Sequence, residues 1–406
     1  MVYESLFRLL TALNQCDYKG FDPYDGNSTR FRLLLKSRWM RIFNTYFHKF
    51  SPLNFRRVFG IEKSLSNQSA AFCLRALLNL PSGFHPGQDA GIEILVNHLK
   101  QKTLFSETNY HVWDGLEFPV QMLTTRKPFM GVTDIIAIEA CGGALLDYCR
   151  IIPDDEIHLM FNSIIDYLMK YHQCDQNCNY WLKYYAVSDN DQITFNASAL
   201  GSVFLRKIAG VVKRENEVED FCKHAVDTIV SFQKSDGHWN YFISLGSGYE
   251  KPQIDFHQGF LLDALLEYME LTGFKEPYFT SYLKGLEYYH NNQFLPNGQS
   301  LYRVPKKWPA DIQNQAQGII TFAKAARAGM GEKYLKLALT IAQWTINNMQ
   351  NKDGHFYFLK YPLFQNRIRY VRWNDAPMAY ALSVLLATQS AIQKKDICLE
   401  SRLHMM

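Results

Sequence analysis

The chain of 406 residues has none of the short motifs that mark the common cofactor and nucleophile chemistries. It contains no GxxxxGKS/T loop and no GxGxxG after a strand, which excludes the usual phosphate-cradling nucleotide folds. No HExxH pair is present for zinc, and no GxSxG elbow for a serine nucleophile. Apolar runs never reach 18 residues, so no segment reads as a membrane-spanning helix. Excess charge is small: 43 basic against 39 acidic residues give +4, too little to imply nucleic acid. The eight cysteines are scattered, and the one close pair, Cys174 and Cys178, lacks a second pair to complete a zinc site. This pattern suits free thiols in a reducing compartment, with no metal and no cofactor. The N-terminal MVYESLFRLL lacks the basic and apolar regions of a secretory leader, so a cytoplasmic protein is expected.

What the chain has is apolar and aromatic surface to bury. Hydrophobic residues make up 47%, with 24 Tyr and 28 Phe, enough for one large core. They are arranged with a period. Gln173, Gln233, Gln293 and Gln350 stand 60, 60 and 57 positions apart. Each ends an amphipathic stretch and opens a polar turn, most clearly in QKSDGHWNYF and QNKDGHFYF. A short aromatic segment follows, and then a helix rich in Ala, Gly and Ser. Those second helices begin near Leu65, Thr133, Thr194, Asp255, Asp311 and Asn374. Small residues belong where helices converge on an axis; the amphipathic helices before each turn belong outside, with one wet face.

Six inner and at least five outer helices predict an all-α fold, an (α/α)6 toroid with short β segments at the loops. We read residues 1–406 as one such domain. Residues 1–60 close the ring as an N-terminal outer element, because the polar C-terminus cannot. In the Gln-x-x-Asp-Gly turn, glycine permits the positive φ after a helix, and the glutamine ties its helix end to the next hairpin. That is architecture rather than catalysis.

Between Arg30 and Arg57 lie eight Lys or Arg and no acid, with Leu35, Trp39, Ile42, Phe43, Tyr46 and Phe50 on one helical face. We expect this helix to close the ring with its apolar face buried. Peripheral contact of residues 30–57 with an anionic membrane is the other reading.

In such a toroid, chemistry collects at the rim where loops enter the inner helices. The helix N-termini there present free N–H groups and a positive dipole end. The candidates for catalysis are Asp255 and His257 (IDFHQGF) and Asp375 (VRWNDAPM). The candidates for substrate binding are Asp134, Asn196, Asp311, Gln315, Arg372, Trp373 and Asn374. Gln68 and Gln313 lie at equivalent places. Two early loops add Tyr24 and Asp25 (FDPYDGNST), and Trp113 and Arg126 (VWDGLEFPVQMLTTRKPF). Several of these residues also suit helix capping; His257 does not.

The order FDPYDGNST, VWDGLEFPVQ, QKSDGHWNY, IDFHQGFLLDALLEY and VRWNDAPMAYAL resembles a bacterial family of (α/α)6 toroid proteins encoded with surface-polysaccharide biosynthesis genes. That family sits in the six-hairpin glycosidase and terpenoid-cyclase-like superfamily. The resemblance implies work on capsule, O-antigen or exopolysaccharide, and a glycan or lipid-linked sugar as partner. Two reactions fit. Hydrolysis needs two carboxyl groups about 5–9.5 Å apart, drawn from Asp134, Asp255, Asp311 and Asp375. Epimerisation needs an acid and a base across the ring, with His257 as one of them. Trp373 would stack on a sugar. A non-catalytic glycan-binding scaffold at the membrane surface is the second reading. A terpene-cyclase-like enzyme is the third, since Asp189 and Asp191 come close to a DxDD acid.

Overall fold

The computed structural model describes residues 1–123, 130–186 and 191–403. The chain opens with α1 (Val2–Asn14) and α2 (Arg38–Phe50), then continues as α3 (Asn67–Leu78) and α4 (Gln88–Gln101). A single turn, α5 (Phe105–Thr108), precedes α6 (Ile135–Cys149) and α7 (Asp155–Lys170). The pairs α8 (Phe195–Val212) with α9 (Glu215–Ser231), α10 (His257–Thr272) with α11 (Tyr278–Gln293), and α12 (Ile312–Arg327) with α13 (Glu332–Met349) follow, ending in α14 (Asp375–Leu403).

Helices α3, α6, α8, α10, α12 and α14 pack each on the next, and α14 closes back on α3. They form the inner ring of an (α/α)6 toroid. Small buried residues such as Ala70, Ala140, Ala144, Ala197, Ala264, Ala316 and Ala323 let these helices converge. The outer helices bury one stripe, as α9 does with Val218, Phe221, Ala225 and Ile229. Near the axis the ring also holds charge. Glu267 accepts from Lys207 at 2.8 Å and from Lys324 at 2.9 Å, and Arg75 donates to Asp147 at 2.9 Å.

Two of the four turn glutamines, Gln233 and Gln350, tie their helix ends to the next outer helix. The amide of Gln173 donates instead to Tyr171 O and His172 O and that of Gln293 to Leu301 O, each within its own turn. Gln233 Nε2 donates to Gly237 O at 3.0 Å, closing its own turn, and to Ser281 O of α11 at 2.9 Å, in the next hairpin. Gly237, Gly298 and Gly354 have φ of +99°, +90° and +99°. A Cβ on any of them would lie 2.3–2.5 Å from a backbone oxygen of the next outer helix: Lys284 O, Thr340 O and Arg8 O respectively. Only glycine satisfies both conditions.

Arg8 belongs to α1, so α1 occupies the sixth outer position, against α13 and α14. It buries Leu6, Leu9, Leu10 and Leu13 almost completely, each worth roughly 1.5–3 kcal/mol. The basic helix α2 therefore does not close the ring. It packs instead on the 3-10 turn at Asp25–Ser28, and its apolar face is not buried. The expectation failed because α1, though short, already carries the apolar stripe that the vacant position needs.

Short strands line the rim. β1 (His172–Cys174) pairs with β2 (Tyr180–Leu182). β3 (Gln192–Thr194), β4 (Phe242–Ser244) and β5 (Tyr249–Lys251) form one antiparallel sheet. β6 (Ala310–Asp311), β7 (Leu359–Lys360) and β8 (Gln365–Asn366) form another. These sheets brace the loops that lead into α8, α10, α12 and α14.

Candidate functional site

A cavity of about 260 Å³ opens at this rim, and each inner helix sends a polar side chain to its wall. Gln68 comes from α3, Asp134 from the cap of α6, Asn196 from α8, His257 from α10, Gln313 from α12, and Arg372 with Trp373 from the turn before α14. By ring order His257 stands opposite Gln68, Asp134 opposite Gln313, and Asn196 opposite Arg372 and Trp373. Tyr24, Tyr184, Tyr185, Phe256 and Phe260 supply flat apolar surface between them.

His257 is held in place. Its Nδ1 lies 2.5 Å from Asp255 Oδ1, and Phe256 stacks on its ring at 4.4 Å. Gln253 Nε2 also donates to Asp255 Oδ1, at 2.9 Å. Burial pushes the Asp255 carboxyl up, but the hydrogen bond and charge of His257 outweigh it and keep the group below its ordinary value. With Nδ1 committed to a carboxylate, Nε2 is the nitrogen left for chemistry.

Asp134 caps α6 by accepting from Ala137 N at 2.7 Å. Burial drives its pKa up to about 6, opposed by that N–H and by the charge of Arg372. Gly115 makes this position possible: a Cβ there would fall 1.7 Å from Asp134 Oδ2. Arg372 is clamped, its Nε donating to Asp22 Oδ2 at 2.6 Å and its Nη1 to Gln68 Oε1 at 3.0 Å and to Gly115 O at 3.1 Å. Trp373 Nε1 donates to the same Asp22 oxygen at 3.1 Å. Two polar atoms on opposite sides of the cavity, Arg372 Nη2 and Asn196 Oδ1, are buried without a partner among the described residues. Buried polar atoms are normally paired, so they suit a ligand rich in hydroxyls.

The remaining sequence candidates are placed elsewhere. Asp375 is fully buried, accepting from Phe356 N at 2.8 Å and from Arg369 Nε at 2.8 Å. Gln315 and Gln258 accept in the same way from Ser300 N and Trp239 N. All three acceptors tie the second residue after a turn glycine to the first turn of an inner helix, which is a device of the repeat. Asn374 donates to Phe356 O and Ile368 O. Asp311 caps α12 through Gln313 N, and burial raises its carboxyl to about 7. Trp113 is core, its Nε1 donating to Leu99 O. Asp25 pairs with buried Arg56 at 2.7 Å. Arg126 and Asp189 lie outside the described residues.

Two wall residues carry no sequence signal of their own. Tyr184 and Tyr185 sit in a loop with no helical period, and only their density of aromatics could have drawn attention. Asp22 is visible as one acid among several in its loop, but its grip on Arg372 spans 350 positions.

No protein-family model matches the sequence, and none of the curated proteins matches it. Solved structures do. A GH76 α-mannanase of Bacteroides thetaiotaomicron superposes with a TM-score of 0.61 at 12% identity, over 81% of this chain and 86% of that one. Cellobiose 2-epimerase of Bacillus thermoamylovorans gives 0.61 at 13%, over 80% and 87%. A D-mannose isomerase gives 0.57 at 12%, over 81% and 87%. The chain thus has the six-hairpin toroid fold that these sugar-processing proteins share.

Proposed function

We propose that the protein is a sugar epimerase or isomerase that moves a proton at the carbon next to a sugar carbonyl. The observation that carries this reading is the titratable content of the cavity wall. Aside from tyrosines and Arg372, the described residues of the wall include one carboxylate, Asp134, and one imidazole, His257, already oriented by Asp255. In a ring-opened sugar, His257 Nε2 takes the proton from the carbon beside the carbonyl. Asp134, whose pKa burial raises to about 6, gives a proton to the carbonyl oxygen as the enediol forms. It takes one back from oxygen as the His257 imidazolium returns its proton to carbon. In isomerisation that proton goes to the former carbonyl carbon; in epimerisation, once the enediol has turned over, it goes to the opposite face of the same carbon. Arg372 and Asn196 bind hydroxyls, and Trp373 with Tyr24 stacks on the sugar before its ring opens. At about 260 Å³ the cavity is near the lower end of ordinary ligand clefts (~300–1,000 Å³), which suits a terminal sugar unit.

Hydrolysis is the second reading. Its support is Asp134, a carboxyl with the raised pKa of a general acid. It needs a second free carboxylate, and Asp255 is already bound to His257. The setting we favour for either reaction is surface-polysaccharide assembly in the cytoplasm at the inner membrane, on a free or lipid-linked glycan. The sequence resemblance supports that setting.

The test is incubation with reducing sugars, including mannose and cellobiose, in D2O. Deuterium entering the carbon beside the carbonyl, lost by at least about 100-fold in His257→Ala, is expected. Glycan cleavage without exchange would replace this reading with the hydrolase.

A further inference from the structure

Helix α2 is built inside out. The side it turns to the protein is mostly polar: Asn44, Thr45 and His48 are buried there with Ile42. Asn44 Nδ2 donates to Gly26 O, and Asn27 Nδ2 donates to Thr45 Oγ1 at 2.9 Å. The side it turns outward carries Trp39, Phe43 and Phe50, which are 67%, 61% and 69% exposed. Phe31, Leu33, Leu53 and Val58 around it are exposed as well. An apolar surface of this density marks a contact site.

Charge chooses the partner. The segment from Arg30 to Arg57 has no acid, and Arg32, Lys36 and Arg57 are exposed. Beside Leu53 runs a groove lined by Arg57, Lys63 and Arg367, with no carboxylate in its lining among the described residues; Arg369, which also lines it, is already paired with Asp375. A second copy seated on α2 about a two-fold axis would bring this basic surface against itself. An anionic lipid surface meets both demands, with phosphates for the bases and an acyl boundary for Trp39 and Phe43.

We infer that α2 docks the protein on an anionic membrane. Docking also places the cavity. Lys49 Nζ donates to the hydroxyl of Tyr24, which lines the cavity, at 2.7 Å, and Arg38 Nη2 donates to Leu123 O, beside the wall residue Met122, at 2.8 Å. The mouth therefore borders the docked face, where a glycan carried on a lipid would reach it. That last clause rests on the proposed sugar chemistry; the docking does not.

The experiment is flotation of the full chain with phosphatidylcholine vesicles, with and without 30% phosphatidylglycerol. About tenfold more protein should float with the anionic lipid, and less at high salt. The double variant Trp39→Ser/Phe43→Ser should lose about tenfold or more. Arg32→Glu/Lys36→Glu changes only exposed positions and should lose as much, with unchanged circular dichroism, so the test survives if the first variant folds poorly. Equal flotation on both lipids, or variants that float like the parent, would overturn the inference. So would a parent that is dimeric by light scattering and becomes monomeric on Trp39→Ser/Phe43→Ser, without floating. No sugar is present, so the outcome is independent of the deuterium-exchange test.

Discussion

Gln350 and Ser5, 345 positions apart, hold each other by two hydrogen bonds. Gln350 Nε2 donates to Ser5 O at 3.0 Å, and Ser5 Oγ donates to Gln350 Oε1 at 2.8 Å. Gln233 makes the first of these bonds to Ser281 O of α11, at 2.9 Å. The N-terminal helix is therefore treated by the last turn as the next outer helix of the repeat. Ring closure uses the same contact as ring propagation, and a raw solenoid end is avoided.

Gly354→Ala should break that closure. The new Cβ would lie 2.4 Å from Arg8 O at a φ of +99°, so both backbone strain and displacement of α1 are imposed. Gly83 is the control: its φ is +76°, with nothing within 4 Å of an added Cβ among the described residues. Gly83→Ala should cost about 1 kcal/mol from strain alone, and Gly354→Ala about 2–4 kcal/mol. Urea unfolding of the two variants measures the difference, which is the cost of moving α1.

The toroid was legible because its signals repeat. Four glutamines and six small-residue helices at near-constant spacing survive local exceptions. The rim was legible as a set of polar positions, and Asp134, Asn196, His257, Arg372 and Trp373 do reach one cavity. What sequence could not divide was the first turn of each inner helix, where one side chain faces the cavity and another holds the strand behind it. Gln313 and Gln315 differ by two positions and part in this way. Aligning the turns on their glycines would have grouped Asp375 with Gln258 and Gln315. The orientation of α2 was hidden for another reason. An apolar helical stripe says that burial is favourable, not which partner supplies it.

Asp375 and Asp255 should therefore separate by readout. Asp375→Asn leaves Arg369 without its carboxylate in a buried setting and should cost about 3 kcal/mol in urea unfolding. Turnover of the folded fraction should stay within about twofold. Asp255→Asn should do the reverse. The dyad with His257 is half-buried, so stability should change little, while the loss of imidazole orientation should lower deuterium exchange by about 10–100-fold. Matching effects of the two variants on both measurements would contradict the division drawn here.

Arg372→Lys should raise KM more than it lowers kcat. The guanidinium bonds Asp22, Gln68 and Gly115 with two of its nitrogens and leaves Nη2 facing no protein partner among the described residues. An ammonium group cannot keep that fork and also offer a donor to a ligand. About a tenfold rise in KM is expected, with Trp373 losing part of its support because both residues share Asp22. Titration of sugar against tryptophan fluorescence gives the binding part directly.

Asp134→Asn should stabilise the protein in a pH-dependent way while impairing the reaction. Burial raises the folded carboxyl from 3.8 to about 6, so the native state holds this proton more tightly than the unfolded chain. The stability from that difference is complete below pH 3.8 and is lost as pH rises through 6. Holding the carboxyl that far above its unfolded value corresponds to about 3 kcal/mol, an upper figure for the cost of the ionised group at pH 8. Asparagine still offers an acceptor to Ala137 N and carries no charge. Asp134→Asn should thus be more stable than the parent by about 1–3 kcal/mol at pH 8, with the gap closing toward pH 4. Urea midpoints at pH 4, 6 and 8 measure it. A gap that stays constant across this range would mean that Asp134 does not keep its proton to near neutrality, and the acid role assigned to it would fall with that result.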